Sequence, residues 1–179
     1  MTTKQLVLVT LFTFAGCTQE AEVVPHTQHW EYELPNWQSL GYSDCGGKVQ
    51  SPINIQTATT IKASLGDISF SYTPFPYKII DNGHTIQVNN NGTNTIKLNG
   101  ANFSFKQFHF HAHSEHKVDG KSSPLEVHLV HQDDSNGNLT VLGIMLEEGT
   151  TDNLLLSKVW KKIYLAKNQK KLRLQKVLV

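Results

Sequence analysis

Three histidines stand in a pattern that could bind a metal ion. His109 and His111 are separated by one residue, and His128 follows in a second apolar, β-branched segment. Residues i and i+2 of a strand point to the same face, so one strand would present two imidazoles and a neighbouring strand could supply the third. Three nitrogen ligands leave one tetrahedral position open, which is typical of catalytic zinc, whereas four protein ligands usually close a structural zinc site.

Two polar residues of the same segments could orient these histidines. Gln107 shares a strand face with His109, and Glu126 shares one with His128, so each could accept a hydrogen bond from the second ring nitrogen and fix its tautomer. A His-x-His pair alone also arises by chance on a solvated face. The aromatic residues of this segment are Phe103, Phe105, Phe108 and Phe110. Aromatics on both faces of a strand indicate burial on both sides, which argues against a chance pair.

The rest of the chain predicts a single, mostly-β domain. A length of 179 residues suits one domain. Short β-branched and aromatic runs, separated by Asn-Gly, Asp-Gly and similar turn signals, predict strands. These runs are 68–72, 85–88, 95–98, 103–110, 126–131 and 139–146. A helix is expected only near residues 153–163.

The segments around the histidines resemble the α-class carbonic anhydrases in order and spacing. The matching segments are 51–55, 81–84, 107–111, 114–121, 125–131 and 139–144, within a resemblance that covers about residues 30–163. The resemblance implies a central, largely antiparallel twisted sheet with few short helices. It also implies bound Zn²⁺ and the reversible hydration of carbon dioxide to bicarbonate and a proton.

The resemblance further implies roles for residues outside the metal set. His84 matches the family's proton-shuttle histidine, although a histidine beside a turn is by itself usually just exposed. Glu115 matches a glutamate that accepts a hydrogen bond from a threonine in an orienting network. Val130 and Val141 match the apolar wall of the substrate pocket, although such valines are more often plain core residues. Residues matching the polar side of the cavity are Tyr32, Asn82 and Gln87.

The first residues predict export from the cytoplasm. Lys4 precedes an apolar run over residues 6–14 that is too short to span a bilayer. Small residues then precede Cys17, as in a bacterial lipoprotein processing site, which would make Cys17 a lipid-anchored N-terminus. Ordinary secretory cleavage is the alternative. Residues 1–17 are therefore expected to be a signal segment, and the domain to be periplasmic or anchored on the extracytoplasmic side.

The C-terminal part departs from the family. The family's Ser-Leu-Thr-Thr-Pro-Pro-Cys-like segment, which carries the orienting threonine, does not occur in this sequence. Residues 153–179 hold 8 of the 16 Lys+Arg residues and none of the 15 Asp+Glu residues. We therefore expect a C-terminally truncated carbonic anhydrase-like domain over 18–163, with an incomplete sheet, and a divergent basic tail over 164–179.

Two functions remain open at this point. The first is zinc-dependent hydration of carbon dioxide. The alternative is a catalytically weak or inactive zinc-binding remnant of the same fold. A basic tail can also indicate an anionic partner, but a frame shift or broken gene explains this tail better, so no nucleic-acid partner is expected.

Overall fold

The computed structural model describes residues 37–81 and 84–169. In this part of the chain, short 3₁₀ helices occupy Trp37–Leu40, Ser43–Gly46 and Thr57–Thr59. The strands β1 to β10 are Asn54–Ile55, Ser69–Ser71, Tyr77–Asp81, Ile86–Asn90, Thr95–Leu98, Ala101–His111, Lys117–Val118, Lys121–Ser122, Leu125–Gln132 and Leu139–Leu146, and helix α1 is Leu154–Gln169.

A curled antiparallel sheet forms the centre of the fold. Its strand order is β10-β9-β6-β4-β3, and β5 joins β6 to β2. A smaller sheet holds β1, β7 and β8. The predicted mostly-β class is confirmed, and each of the six predicted runs coincides with one strand of the large sheet. Strand β3 was not predicted, because the prolines at positions 74 and 76 indicate a turn. Its extended conformation is stabilised by pairing with β4.

Helix α1 extends beyond its predicted range. Asn153 caps its beginning, because the side-chain Oδ1 accepts hydrogen bonds from the backbone N–H groups of Leu155 and Leu156 at 3.0 and 3.1 Å. The helix continues to Gln169 since residues 164–169 include Leu, Ala, Lys and Gln, which are strong helix formers. No helix within the described ranges combines the length and apolar character needed to cross a membrane.

A β-bulge at Lys106 decides which way the central strand faces. Phe105 pairs with His131, but Gln107 pairs with Val130, so one residue of β6 has no counterpart on β9. Because Val130 and His131 are consecutive, they point to opposite faces of the sheet. The bulge therefore turns Gln107 to the face opposite Phe105.

The bulge gathers the aromatic residues of β6 on one side. Phe105, Phe108 and Phe110 lie in one buried cluster, to which helix α1 contributes Val159 and Trp160. The Phe110 and Trp160 rings meet edge to face, with centroids 4.8 Å apart. The prediction that aromatics occupy both faces is wrong here, because a strict two-residue alternation ignores the bulge. The opposite face is left for the histidines.

Candidate metal centre

Strand register brings the three predicted histidines together on one face of the large sheet. His109 on β6 pairs directly with His128 on β9, and His111 lies two residues along β6. The ring centroids are 4.9 Å apart for His109 and His111, 5.4 Å for His109 and His128, and 4.6 Å for His111 and His128. One ring nitrogen of each histidine lies within 4.8 Å of the other two. The three residues are therefore close enough together to bind one metal ion.

Burial keeps His109 and His111 in the form that binds metal. Burial lowers the pKa of His109 and the pKa of His111 from 6.5 to about 4, and neighbouring histidines add to both shifts. Both rings are therefore neutral at pH 7 and offer a lone pair. Neutral imidazole nitrogens are preferred zinc ligands, so the donor set fits Zn²⁺.

Gln107 sets the tautomer of His109. The Gln107 Oε1 atom lies 2.9 Å from His109 Nδ1. A carbonyl oxygen only accepts, so Nδ1–H donates to it and the lone pair of His109 is on Nε2. Gln107 therefore stands where the sequence pattern predicted it.

Glu126 is the most deeply buried acid beside the histidines, with an exposed fraction of 1%. Its Oε1 lies 2.6 Å from His116 Nδ1 and 3.0 Å from His128 Nε2, and its Oε2 accepts the His116 backbone N–H at 2.9 Å. Since a carboxylate only accepts, His116 Nδ1 carries a proton and donates it to Glu126. A proton on His128 Nε2 would face the same oxygen and leave the His128 lone pair on Nδ1. Burial acts to raise the pKa of Glu126, but hydrogen bonds from His116 and His128 hold that pKa below its usual range.

Two residues of this network were missed by sequence reasoning. His116 is a second partner of Glu126, but it belongs to a connecting loop with no spacing relation to β9. Gly143 pairs with His128 across β9 and β10, and a Cβ atom there would lie 2.7 Å from Glu126 Oε1. A glycine inside a strand pattern often marks such a close approach, so Gly143 did carry a usable signal.

Three further predicted residues lie in strands around the histidines. Val130 and Val141 are half-buried and pair with each other across β9 and β10. Val130 is two residues from His128 and shares its face. Gln87 pairs with His109 across β4 and β6, and its Nε2 donates to Asn89 Oδ1 at 2.7 Å.

The remaining predicted residues lie outside the strands or outside the described ranges. His84 is exposed and lies two residues before β4 begins. The Glu115 side chain approaches the metal set, with Oε2 3.4 Å from His111 Nε2 and 3.7 Å from His128 Nδ1. Tyr32, Asn82 and Cys17 fall outside the residues that the structure describes, as do the signal segment 1–17 and residues 170–179.

Comparison with known proteins identifies the family. The family model for eukaryotic-type carbonic anhydrase matches residues 29–178. A carbonic anhydrase of Pectobacterium atrosepticum is 41% identical over 142 residues, and one of Neisseria gonorrhoeae is 41% identical over 143 residues. The α-carbonic anhydrase of Thermovibrio ammonificans, solved with the inhibitor sulfanilamide, superposes with a TM-score of 0.69 at 44% identity. This chain belongs to the α-carbonic anhydrase family.

The match covers only part of each relative. The alignments include 75% of this chain but 57% and 55% of the Pectobacterium and Neisseria proteins. The structural match includes 74% of this chain and 61% of the Thermovibrio chain. The chain therefore spans a little over half the length of these relatives.

Acidification is expected to destabilise the metal-free protein between pH 6.5 and pH 4. Burial lowers the pKa of His109, His111 and His131 to about 4, whereas the unfolded chain keeps values near 6.5. Between pH 6.5 and pH 4 the unfolded chain therefore binds more protons than the folded chain. The free energy of unfolding consequently falls as the pH drops through this window. Urea midpoints at pH 7.5, 6.5, 5.5 and 4.5 measure the loss. The exposed-site variant His113→Gln should show the same slope, and a flat midpoint would contradict buried, neutral histidines.

Replacement of Gly143 by alanine is expected to weaken metal binding. The new Cβ would press on Glu126 Oε1 at 2.7 Å, and this oxygen holds both His116 and His128. Loss of such a supporting contact costs about 10–100-fold in metal affinity. Competition with a chelator of known zinc affinity measures the change. Gly149→Ala is the matched control, because its Cβ would meet nothing closer than 4.0 Å. Equal affinities for the two variants would contradict the argument.

Proposed function

We propose that this chain carries a zinc site for the reversible hydration of carbon dioxide to bicarbonate and a proton. The observation that supports this most directly is the convergence of three imidazoles on one face of the sheet, with nitrogens within 4.8 Å, in a member of the α-carbonic anhydrase family. His109, His111 and His128 would hold the ion. When bound, zinc acts as a Lewis acid that lowers the pKa of coordinated water to about 7, a value known from carbonic anhydrases themselves and not measured on this chain.

The residues around the histidines have supporting roles in this proposal. Gln107 and Glu126 hold the rings of His109 and His128 so that one lone pair of each points to a common position. Such partners raise ligand basicity and fix ring orientation. The Glu126 charge also lies close to the site and favours a bound cation.

In this proposal, an apolar surface on one side of the metal site would hold the substrate. Protons would leave along a polar surface on the other side. Val130 and Val141 lie beside the His128 end of the site, and an apolar wall suits carbon dioxide, which carries no net charge. Gln87 lies on the opposite side of His109 and, with Tyr32 and Asn82, would line the polar side of the cavity. His84 would carry protons between this side and buffer, because imidazole titrates near neutrality.

A zinc-binding remnant with little or no turnover is the second candidate. It is favoured by the position of Glu115, whose carboxylate Oε2 lies 3.4 Å from His111 Nε2. We retain the role of Glu115 in an orienting network as part of the primary proposal. Export to the periplasm or the extracytoplasmic membrane surface, with Cys17 as a lipid anchor, also remains a proposal from residues 1–17.

The test of the primary proposal is zinc content and stopped-flow hydration of carbon dioxide by the full 179-residue chain. The parent is expected to bind one zinc and to show hydration that sulfanilamide inhibits. His109→Asn should lose both, with metal affinity falling by more than about 100-fold, since even a residue supporting a ligand is worth about 10–100-fold. The exposed residue His113, substituted by asparagine, is the control that should lose neither. A folded, zinc-loaded chain without hydration would establish the remnant, and a folded chain without zinc would refute both candidates.

A separate prediction concerns His84. His84→Ala is expected to slow hydration by up to about 10²-fold while leaving zinc stoichiometry unchanged, since proton transfer by a positioned side chain supplies rates of that order. Added imidazole buffer should restore part of the rate. The comparison with His113→Ala in the same assay controls for loss of an exposed histidine. An unchanged rate in an active His84→Ala protein would show that another route carries the proton.

A further inference from the structure

The outer face of helix α1 combines exposed leucines with lysines. Leu154 and Leu155 keep exposed fractions of 79% and 60%. Three lysines of the same helix are exposed as well, at positions 158, 161 and 162. Apolar residues scattered singly on a surface are common, but here two neighbouring leucines accompany three cations. We call these five residues the outer stripe of α1.

Helical geometry places the outer stripe on the side of α1 that faces away from the sheet. A rotation of about 100° per residue puts all five residues within an arc of about 120°. The residues of α1 that pack against the aromatic cluster of β6 lie on the opposite side of the helix, and they are Leu156, Val159, Trp160 and Ile163. The outer stripe is therefore presented to solvent, and its side chains can be changed without removing core contacts.

Tyr77 extends this surface beyond the helix. It is the first residue of β3, an edge strand of the large sheet, and its exposed fraction is 40%. The Lys162 Nζ atom lies 4.2 Å from the centroid of the Tyr77 ring, so the cation and the aromatic face contact each other. Tyrosine is enriched at membrane–water interfaces, because its ring is apolar and its hydroxyl is polar.

The charge of this part of the chain is uniformly positive. Helix α1 contains no Asp or Glu, and the nearest acids in sequence, Glu147, Glu148 and Asp152, all precede it. Residues 164–179 add further basic residues and no acid, at positions 167, 170, 171, 173 and 176. Cations alone would suit any polyanion. Exposed leucines gain only where an apolar phase lies beside the anions, which a bilayer offers and a nucleic acid does not.

We propose that the outer stripe of α1, together with Tyr77, docks the domain on the surface of an anionic phospholipid bilayer. The two leucines enter the boundary between headgroups and acyl chains, and the lysines contact lipid phosphates. A single lipid chain gives only weak, reversible attachment, and a basic surface is one of the second signals that make it stable. The surface would thus complement the lipid anchor proposed at Cys17. It lies apart from the histidines and does not depend on bound zinc.

Co-sedimentation of the full 179-residue chain with lipid vesicles tests the docking. Vesicles of mixed phosphatidylglycerol and phosphatidylcholine are compared with vesicles of phosphatidylcholine alone. The parent is expected to prefer the anionic vesicles, and about 1 M salt should remove most of this preference, because the Debye length then falls to about 3 Å. Any attachment through residues 6–14 adds to both vesicle types and to every variant, so it does not create the difference.

Two variants separate the charged and the apolar contributions. The triple variant Lys158→Gln, Lys161→Gln, Lys162→Gln should bind anionic vesicles about 100-fold more weakly, since each lysine near such a surface contributes about 5-fold. The double variant Leu154→Gln, Leu155→Gln should lose at least about 10-fold, because burial of one leucine side chain is worth about that factor. Glutamine is a good helix former, so both proteins should keep the helix, and urea midpoints check this.

Matched controls remove the same groups elsewhere on the surface. The triple variant Lys48→Gln, Lys62→Gln, Lys97→Gln has the same net charge as the first variant, and Ile61→Gln, Leu65→Gln removes two other exposed apolar side chains. Both controls should lose at least about 10-fold less affinity than their counterparts.

Three results would overturn the docking. The first is a parent that binds the two vesicle types equally, an outcome that needs no variant. The second is a lysine variant that binds like its control. The third is a leucine variant that binds like the parent, which would leave only a general polyanion surface. Equal binding of a single-stranded oligonucleotide by the parent and the leucine variant would identify that surface. Zinc content is expected to stay unchanged in all variants, so a failure of the docking is distinguishable from a failure of the metal site.

Discussion

The site depends on one buried charge, the Glu126 carboxylate. An ionised carboxylate in the interior costs several kcal/mol unless hydrogen bonds satisfy it. Here the His116 ring, the His116 backbone N–H and the His128 ring converge on it at 2.6, 2.9 and 3.0 Å. These contacts fix the His128 tautomer and anchor the loop beyond β6. They also account for the glycine at position 143, where any side chain would meet Glu126 Oε1.

The β-bulge at Lys106 is the second constraint, because it places the packed aromatic residues of β6 on one face of the sheet and the histidines on the other. Before the bulge, Phe105 faces the cluster that helix α1 covers, and after it Phe108 and Phe110 face the same cluster. The bulge thus leaves His109 and His111 together on the opposite face. A rigid strand backed by packed aromatics holds ligands more precisely than a loop can.

Glu115 connects these two constraints. Its loop follows the histidine strand and is tied to Glu126 through His116, so the position of the carboxylate follows from the buried network. Membership of the α-carbonic anhydrase family accounts for the fold and for the three histidines.

Local pattern in the sequence was sufficient for the elements that carry the site. Short β-branched and aromatic runs between turn signals located β5, β6, β9 and β10, and the i, i+2 rule placed His109 on one face with His111 and Gln107. The tertiary structure alone decided the bulge at Lys106, the His116 contact with Glu126 and the approach of Glu115 to the ligands. The physical reason is that these features depend on register between strands and on where a loop returns to the sheet. Residues distant in sequence set both, through hydrogen bonds and burial that no local periodicity records.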